Sequence, residues 1–294
     1  MKRELPSEIG DLLSGAGLAI LAKQVVDGFL IGQHHGTRRG TGTEFSQYRS
    51  YQPGDDIRLI DWKMFGRSDR YYIKESETET SITVRFFLDA SSSMEYSEGG
   101  LNRIDYAALI VASLATLAQR QGDSVGLHIV HSGSRVDVAP RRKKDQLNQL
   151  YRRLESVECS GTWPESPDWI TECTSRRSEL WIFCSDMLDE PETWRSIREL
   201  GEIFGHEQLF IQILGDDEIE LNLVGVTTVR DPENHKERTI RARSVKELYQ
   251  ANLNEYLKQL EEAVTGRHSG RELFSMTRPV QDVLRAYLGK RSRL

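Results

Sequence analysis

The sharpest chemical signal in this 294-residue chain is Asp89-Ala90-Ser91-Ser92-Ser93-Met94, a carboxylate followed two and four positions on by hydroxyls. Oxygen donors at that spacing suit a hard divalent cation, because Mg²⁺ prefers about six oxygens and gives up water reluctantly, so that hydroxyls and carboxylates acting through water hold it well. Completing such a site takes another loop hydroxyl and a second carboxylate. Thr162, beside Gly161, offers the first and Asp186 the second, with Ser160 and Thr174 as rival hydroxyls and Asp189 as the rival acid. The expected ion is Mg²⁺, with Mn²⁺ and Ca²⁺ as alternatives. With Asp89 and Asp186 the only charged ligands, a coordination position stays open for a carboxylate from a partner protein, which is an adhesion mechanism. The competing explanation is an ordinary capped helix start, in which Asp or Ser accepts a free backbone N–H.

Other chemistries fit less well. Residues 36–43 are rich in glycine and threonine but lack the Gly-Lys-Ser/Thr ending of a phosphate-binding loop. An aspartyl nucleophile at Asp89 invites a phosphoryl-transfer reading, yet the second acid expected two residues on is replaced by Ser91. His128 and His131 lie three apart on one strand and point to opposite faces, so they cannot share a metal. Nothing in the sequence places a Ser, a His and an Asp together as a triad. The chain therefore reads as a non-enzyme.

Asp89 is useful only if a strand delivers it to a sheet edge, and the surrounding pattern supplies one. The apolar run 84–88 precedes it, and strand and helix signals alternate afterwards: helix 103–120, strand 124–131, helix 144–156, strand 180–184, helix 191–204, strand 208–214. Continuous apolar runs such as Phe86-Phe87-Leu88, Trp181-Ile182-Phe183 and Leu209-Phe210-Ile211 are those of strands buried on both faces. The expectation is an α/β fold with a doubly wound, mainly parallel sheet, which binds ligands at the carboxyl ends of its strands. A hairpin around Asp231-Pro232-Glu233-Asn234, a helix over 244–265, a strand near Leu273 and a helix from Val280 follow.

The N-terminal portion differs. Leu18, Leu21, Val25 and Phe29 recur at helical spacing and predict an amphipathic helix docked on the remainder. The apolar stretch 12–22 is too short to span a bilayer, and Glu4, Glu8, Asp11 and Lys23 spoil a signal peptide. Residues 45–76 read as short strands with tight turns, notably Pro53-Gly54-Asp55-Asp56 as a type II turn. The division expected is 1–35 helical, 36–80 a small β-rich subdomain, and 81–294 the α/β domain with an inserted hairpin near 224–241.

A net charge of −6, from 45 acids against 39 bases, gives no basic footprint for nucleic acid. Three cysteines, Cys159, Cys173 and Cys184, form no disulfide framework and suit a reducing cytoplasm.

Asp89, Ser91, Ser93, Thr162 and Asp186, in this chain order, resemble the metal-ion-dependent adhesion site of the von Willebrand factor type A superfamily. Upstream, the run Arg38-Arg39-Gly40-Thr41-Gly42-Thr43-Glu44-Phe45, then Tyr51-Gln52-Pro53-Gly54-Asp55-Asp56, Arg58 and Asp61-Trp62, resembles the bacterial domain of unknown function 58 family. In that family the block precedes a type A-like domain, so the resemblance covers about residues 36–294. It implies a MoxR-type AAA+ ATPase as partner and an adaptor or co-chaperone role. Many members carry membrane spans before the block, whereas the leader here is short and charged, which implies a soluble version. Within the block, Arg38, Arg58, Asp55, Asp61 and Trp62 are expected to knit the subdomain onto the sheet. The alternative functional reading is a structural scaffold with a vestigial metal site.

Overall fold

Thr83–Asp89 (β1) is a strand whose residues from Val84 onward are all buried; its apolar run is interrupted by Arg85, which is buried in an ion pair with Glu179. It occupies the middle of a six-stranded sheet with Ser124–His131 (β2), Ser134–Arg141 (β3), Leu180–Ser185 (β4), Glu207–Leu214 (β5) and Ser269–Ser275 (β6), in the spatial order β6-β5-β4-β1-β2-β3. Every pairing is parallel except β2 with β3. The computed structural model describes residues 17–36, 47–52, 55, 57, 60–75, 81–132, 134–143, 145–173, 175, 177–222, 226–230 and 237–291.

Two apolar layers sandwich this sheet because successive strand residues face opposite sides. On one side Phe87, Phe183 and Phe210 sit in register on β1, β4 and β5 and stack at centroid distances of 4.6 and 5.0 Å. Trp194 of Pro191–Phe204 (α4) and Leu260 of Ala242–Val264 (α5) join that layer. On the other side Phe86, Leu88, Ile182 and Ile211 meet Arg103–Arg120 (α2), Gln146–Glu155 (α3) and Val280–Arg291 (α6). Helix α2 is buried nearly all round, which explains its run of Ala, Leu, Ile and Val without a polar stripe. Leu18–Gly36 (α1) explains part of that burial: its Leu18, Leu21, Ala22, Val26 and Phe29 enter the same layer, and Leu18 N–H donates to Glu155 at 3.0 Å. Val25, expected on that stripe, is only half-buried. The alternation of strands and helices read from the sequence is the fold observed.

The chain forms two compact units, one comprising residues up to Leu30 and from Ile82 onward, the other Ile31–Ser81. In the smaller unit Gln47–Ser50 pairs antiparallel with Tyr72–Glu75. Between them, where the sequence suggests only strands, Trp62–Ser68 is a helix. Its cause is Asp61, whose carboxylate accepts from Lys63 N–H and Met64 N–H at 2.9 and 3.1 Å as an N-cap. Strand β3 adds to the expected pattern; its Val136 and Val138 alternate with polar residues over too short a run to stand out. Asp55 N–H donates to Gln52 O at 3.0 Å across the expected turn. Pro53 and Gly54 themselves, Arg38, Arg39, Arg58, the rival ligand Thr174, the helix expected over 1–16, the loop 36–42 beyond its first residue and the hairpin tip at Asp231–Asn234 lie outside the described residues. The hairpin's arms, Val226–Arg230 and Glu237–Arg241, pair antiparallel as expected.

Candidate metal centre

The chain runs outward from β1 to β2 and β3, then crosses back to β4 and runs outward through β5 and β6. The reversal falls between β1 and β4, and such switch points leave a crevice beyond the carboxyl ends of the two strands. Asp89 is the last residue of β1, and Asp186 follows the last residue of β4. Topology alone therefore brings together two acids that are 97 positions apart (186 − 89).

Both are sealed from solvent, Asp89 at 0% and Asp186 at 1% exposure. The Asp89 carboxylate is held at both oxygens: Oδ1 accepts from Ser91 N–H at 2.8 Å and Oδ2 from the Ser185 hydroxyl at 2.6 Å. Burial, with the neighbouring Asp186 charge adding to it, pushes the Asp89 carboxyl up to about 7, despite the hydrogen bonds from Ser185 and Ser91. Asp189 stands farther along; the acid that acts on Asp89 is Asp186.

After Asp89 the chain turns through Ser92–Glu95, one turn of 3₁₀ helix. Ser91, at the cap position, makes no side-chain cap. Its hydroxyl lies 3.0 Å from that of Ser93. The two hydroxyls thus face each other rather than serving the backbone, whereas Asp89 does accept a backbone N–H, as the capped-start explanation expects of the acid. The loop bearing Thr162 is sewn to this turn: Ser160 N–H donates to Ala90 O and Ser92 N–H to Gly161 O, both at 2.9 Å. Ser132, at the end of β2, completes the stitching by donating its N–H to Thr162 O at 2.6 Å and accepting Thr162 N–H on its hydroxyl at 3.0 Å. Thr162's side chain is exposed, and the rival Ser160 turns its hydroxyl toward His131 Nδ1 at 3.5 Å.

Four participants are not legible in the sequence: Ser132, Ser185, Arg103 and Glu218. Ser185 looks like an ordinary strand end until its bond to Asp89 is seen. Arg103, the first residue of α2, is 1% exposed and donates to Asp186, to Glu218 and, at 3.2 Å, to Ser93 O. Its guanidinium also lies 4.8 Å from the Tyr96 ring centroid. Glu218 comes from the short helix Asp216–Glu220 after β5. No local pattern marks these residues, because their meaning comes from β-strand order. Met187, next to Asp186, has φ of 52° and is buried, a left-handed conformation that costs a non-glycine residue about 1–2 kcal/mol. Such strain gathers where surrounding structure fixes a functional geometry.

The donor set fits a hard cation. Two facing hydroxyls and two buried acids, Asp89 raised chiefly by burial and Asp186 paired with Arg103, form an oxygen-rich donor set. Elsewhere, His128 Nδ1, Asp137 and Cys173 bring ligand-type atoms within 4.8 Å of one another. There the Arg135 guanidinium already binds Asp137 at 2.9 Å and Arg85 lies 3.4 Å from His128 Nε2, so this trio belongs to an ion-pair network.

A mainly parallel sheet, helices on both faces and Asp-x-Ser-x-Ser at its switch point define a von Willebrand factor type A-like domain. The chain belongs to the family described as protein of unknown function DUF58, whose model matches residues 47–258. An uncharacterized protein of Mycobacterium bovis is 25% identical over 227 residues, covering 74% of this chain and 69% of that one. The solved pilus adhesin SpaC of Lactobacillus rhamnosus GG superposes with a TM-score of 0.50 at 12% identity, over 86% of this chain and 36% of SpaC, a likeness of fold alone. The VWA domain of SpRpn10 also aligns, with a TM-score of 0.43 and 9% identity over 70% of this chain and 95% of that domain. Among the described residues, no helix is long and apolar enough to cross a membrane.

Proposed function

We propose that the protein is a metal-dependent protein-interaction module in which Asp89, Ser91, Ser93, Thr162 and Asp186 hold Mg²⁺. The observation that carries this reading is the 3.0 Å approach of the Ser91 and Ser93 hydroxyls, uncapped and directly after the buried Asp89. The bound ion would supply a positive charge with a coordination position open to a carboxylate on the partner. The chain's own residues do the orienting: Ser185 and Ser91 N–H fix Asp89, Ser132 fixes the Thr162 loop, and Arg103 fixes Asp186. No bond in the partner is made or broken, so the module binds without catalysing. The partner we propose is a MoxR-type AAA+ ATPase and the role that of an adaptor or co-chaperone, as the resemblance of the sequence to this family implies.

A structural reading has one observation in its favour. Arg103 already places a cation on Asp186, so the site is partly neutralised from within. Affinity capture of a purified MoxR-type ATPase, with Mg²⁺ or with chelator, separates the two. Capture that needs both Mg²⁺ and the intact serines supports the adhesion reading. Equal capture by wild type and by Ser91→Ala/Ser93→Ala, in either buffer, supports the scaffold.

A further inference from the structure

Beside the candidate metal centre lies an apolar groove that the metal reading does not use. It encloses about 480 Å³, within the range of roughly 300–1,000 Å³ typical of binding clefts. Tyr96, Leu221, Val229, Val245, Leu248 and Tyr249 form its walls. The groove is built rather than accidental: Tyr249 donates its hydroxyl to Glu218 O, and Tyr96 is held under Arg103. Leu248 is 64% exposed, and on the adjoining hairpin Val226 is 65% and Val229 38% exposed. Large aliphatic side chains gathered on open surface around one groove mark an interaction site.

The edge of this groove is acidic. Asp217 and Glu218 line it, with Asp216 and Glu220 on the same helical turn. Glu98 adds to it: one carboxylate oxygen accepts from Asp217 N–H at 3.3 Å, while the other is buried with no hydrogen-bond partner. Arg103 pairs with Glu218 from beneath, so the negative charge at the edge is carried by Asp217, with Asp216 and Glu220 on the same turn. Apolar walls with a negative edge fit one kind of occupant, a helix whose apolar face carries residues at i, i+3, i+4 and i+7 and whose flank is basic.

We infer that this groove docks an amphipathic, basic helical segment of a partner protein, its leucine-type side chains against Leu248 and Tyr249 and a lysine or arginine against Asp217 and Glu98. The contact requires no metal and stands or falls separately from the adhesion reading.

The probe is a synthetic helix of leucine and lysine with an amidated C-terminus, which carries no carboxylate for a metal. Binding is followed by fluorescence anisotropy in chelator. Leu248→Ser and Asp217→Lys should each weaken it roughly tenfold, the effect of losing a contact worth about 1.4 kcal/mol. Val229→Thr serves as a second groove variant should Leu248→Ser fail to fold. Ser91→Ala/Ser93→Ala should bind as wild type does, and a glutamate-for-lysine version of the peptide should not bind. Unchanged affinity in the groove variants overturns the inference. So does an equal loss in Glu199→Lys, a charge reversal on α4, because binding would then be general attraction to an acidic protein. A wild-type dimer by sedimentation that Leu248→Ser dissolves also overturns it, making a second copy the occupant.

Discussion

Arg103 and Asp186 form an ion pair in which the two side chains are 1% and 2% exposed. The arginine opens helix α2, the aspartate follows strand β4, and the contact joins the two elements at the mouth of the sheet. The same guanidinium reaches Glu218 and Ser93 O, while its Nε has no partner. A buried pair gains little net stability because both ions lose water, but removing one partner strands the other and costs about 3–5 kcal/mol.

Arg103→Met should therefore destabilise the protein by about 3 kcal/mol in chelator, measured by urea unfolding. Mg²⁺ should return part of that loss, since the stranded Asp186 would then have a cation again. An unchanged unfolding midpoint would show that the pair is not structural. Destabilisation with no response to Mg²⁺ would favour the scaffold reading.

The Asp89 carboxyl, raised from an ordinary 3.8 to about 7, makes a pH prediction. Between those values the folded protein binds a proton that the unfolded chain has released, so stability falls as pH rises through this window. Below about pH 4 the carboxyl is protonated in both states and the contribution is fully present. Asp89→Asn cannot titrate, its oxygen can still accept Ser91 N–H, and its amide can donate to the Ser185 hydroxyl. In chelator at pH 8 it should match or exceed wild type by on the order of 2 kcal/mol, and its stability should be flat where wild type declines. A parallel decline in both proteins would assign the slope to other groups. Mg²⁺ should stabilise wild type at pH 8 and leave the variant unchanged.

Much of this arrangement is legible in the sequence because it depends on local pattern. Runs such as Trp181-Ile182-Phe183 announce strands covered on both faces, and the position of Asp89 directly after one of them announces a sheet edge. Asp186 is legible for the same reason. Arg103, Ser185, Ser132 and Glu218 are not, because each acquires its partner from strand order: β4 must lie beside β1 before Ser185 can reach Asp89. The helix at Trp62–Ser68 is illegible for a different reason. Its seven residues carry too little periodicity to register, and the decisive signal was the single N-cap Asp61.

Phe183 tests the layer that sets the distance between the strands at the site. It stacks on Phe87 and Phe210 and meets Trp194 edge-on at 6.4 Å between centroids. Phe183→Ala should cost about 3–5 kcal/mol by lost burial and the cavity left behind. Chemical unfolding measures it. A cost below about 1 kcal/mol would mean that the aromatic layer collapses around the gap.

Gly161 bears on the loop that carries Thr162. Its φ is +65°, and a Cβ placed there would stand 2.5 Å from the Ser132 hydroxyl, the group that receives Thr162 N–H. Gly161→Ala therefore adds backbone strain and a clash in the same place. It should destabilise the fold by about 1–3 kcal/mol and weaken Mg²⁺ binding as the loop moves away from Ser91 and Ser93. Combining it with Ser132→Ala removes the obstructing oxygen and leaves the strain. If the clash is the main effect, the double variant should cost less than the two single costs added together, a coupling of about 0.5–3 kcal/mol. Strict additivity would place the penalty in the left-handed backbone alone. A normal Mg²⁺ affinity in Gly161→Ala would show that the Thr162 loop is not part of the metal centre.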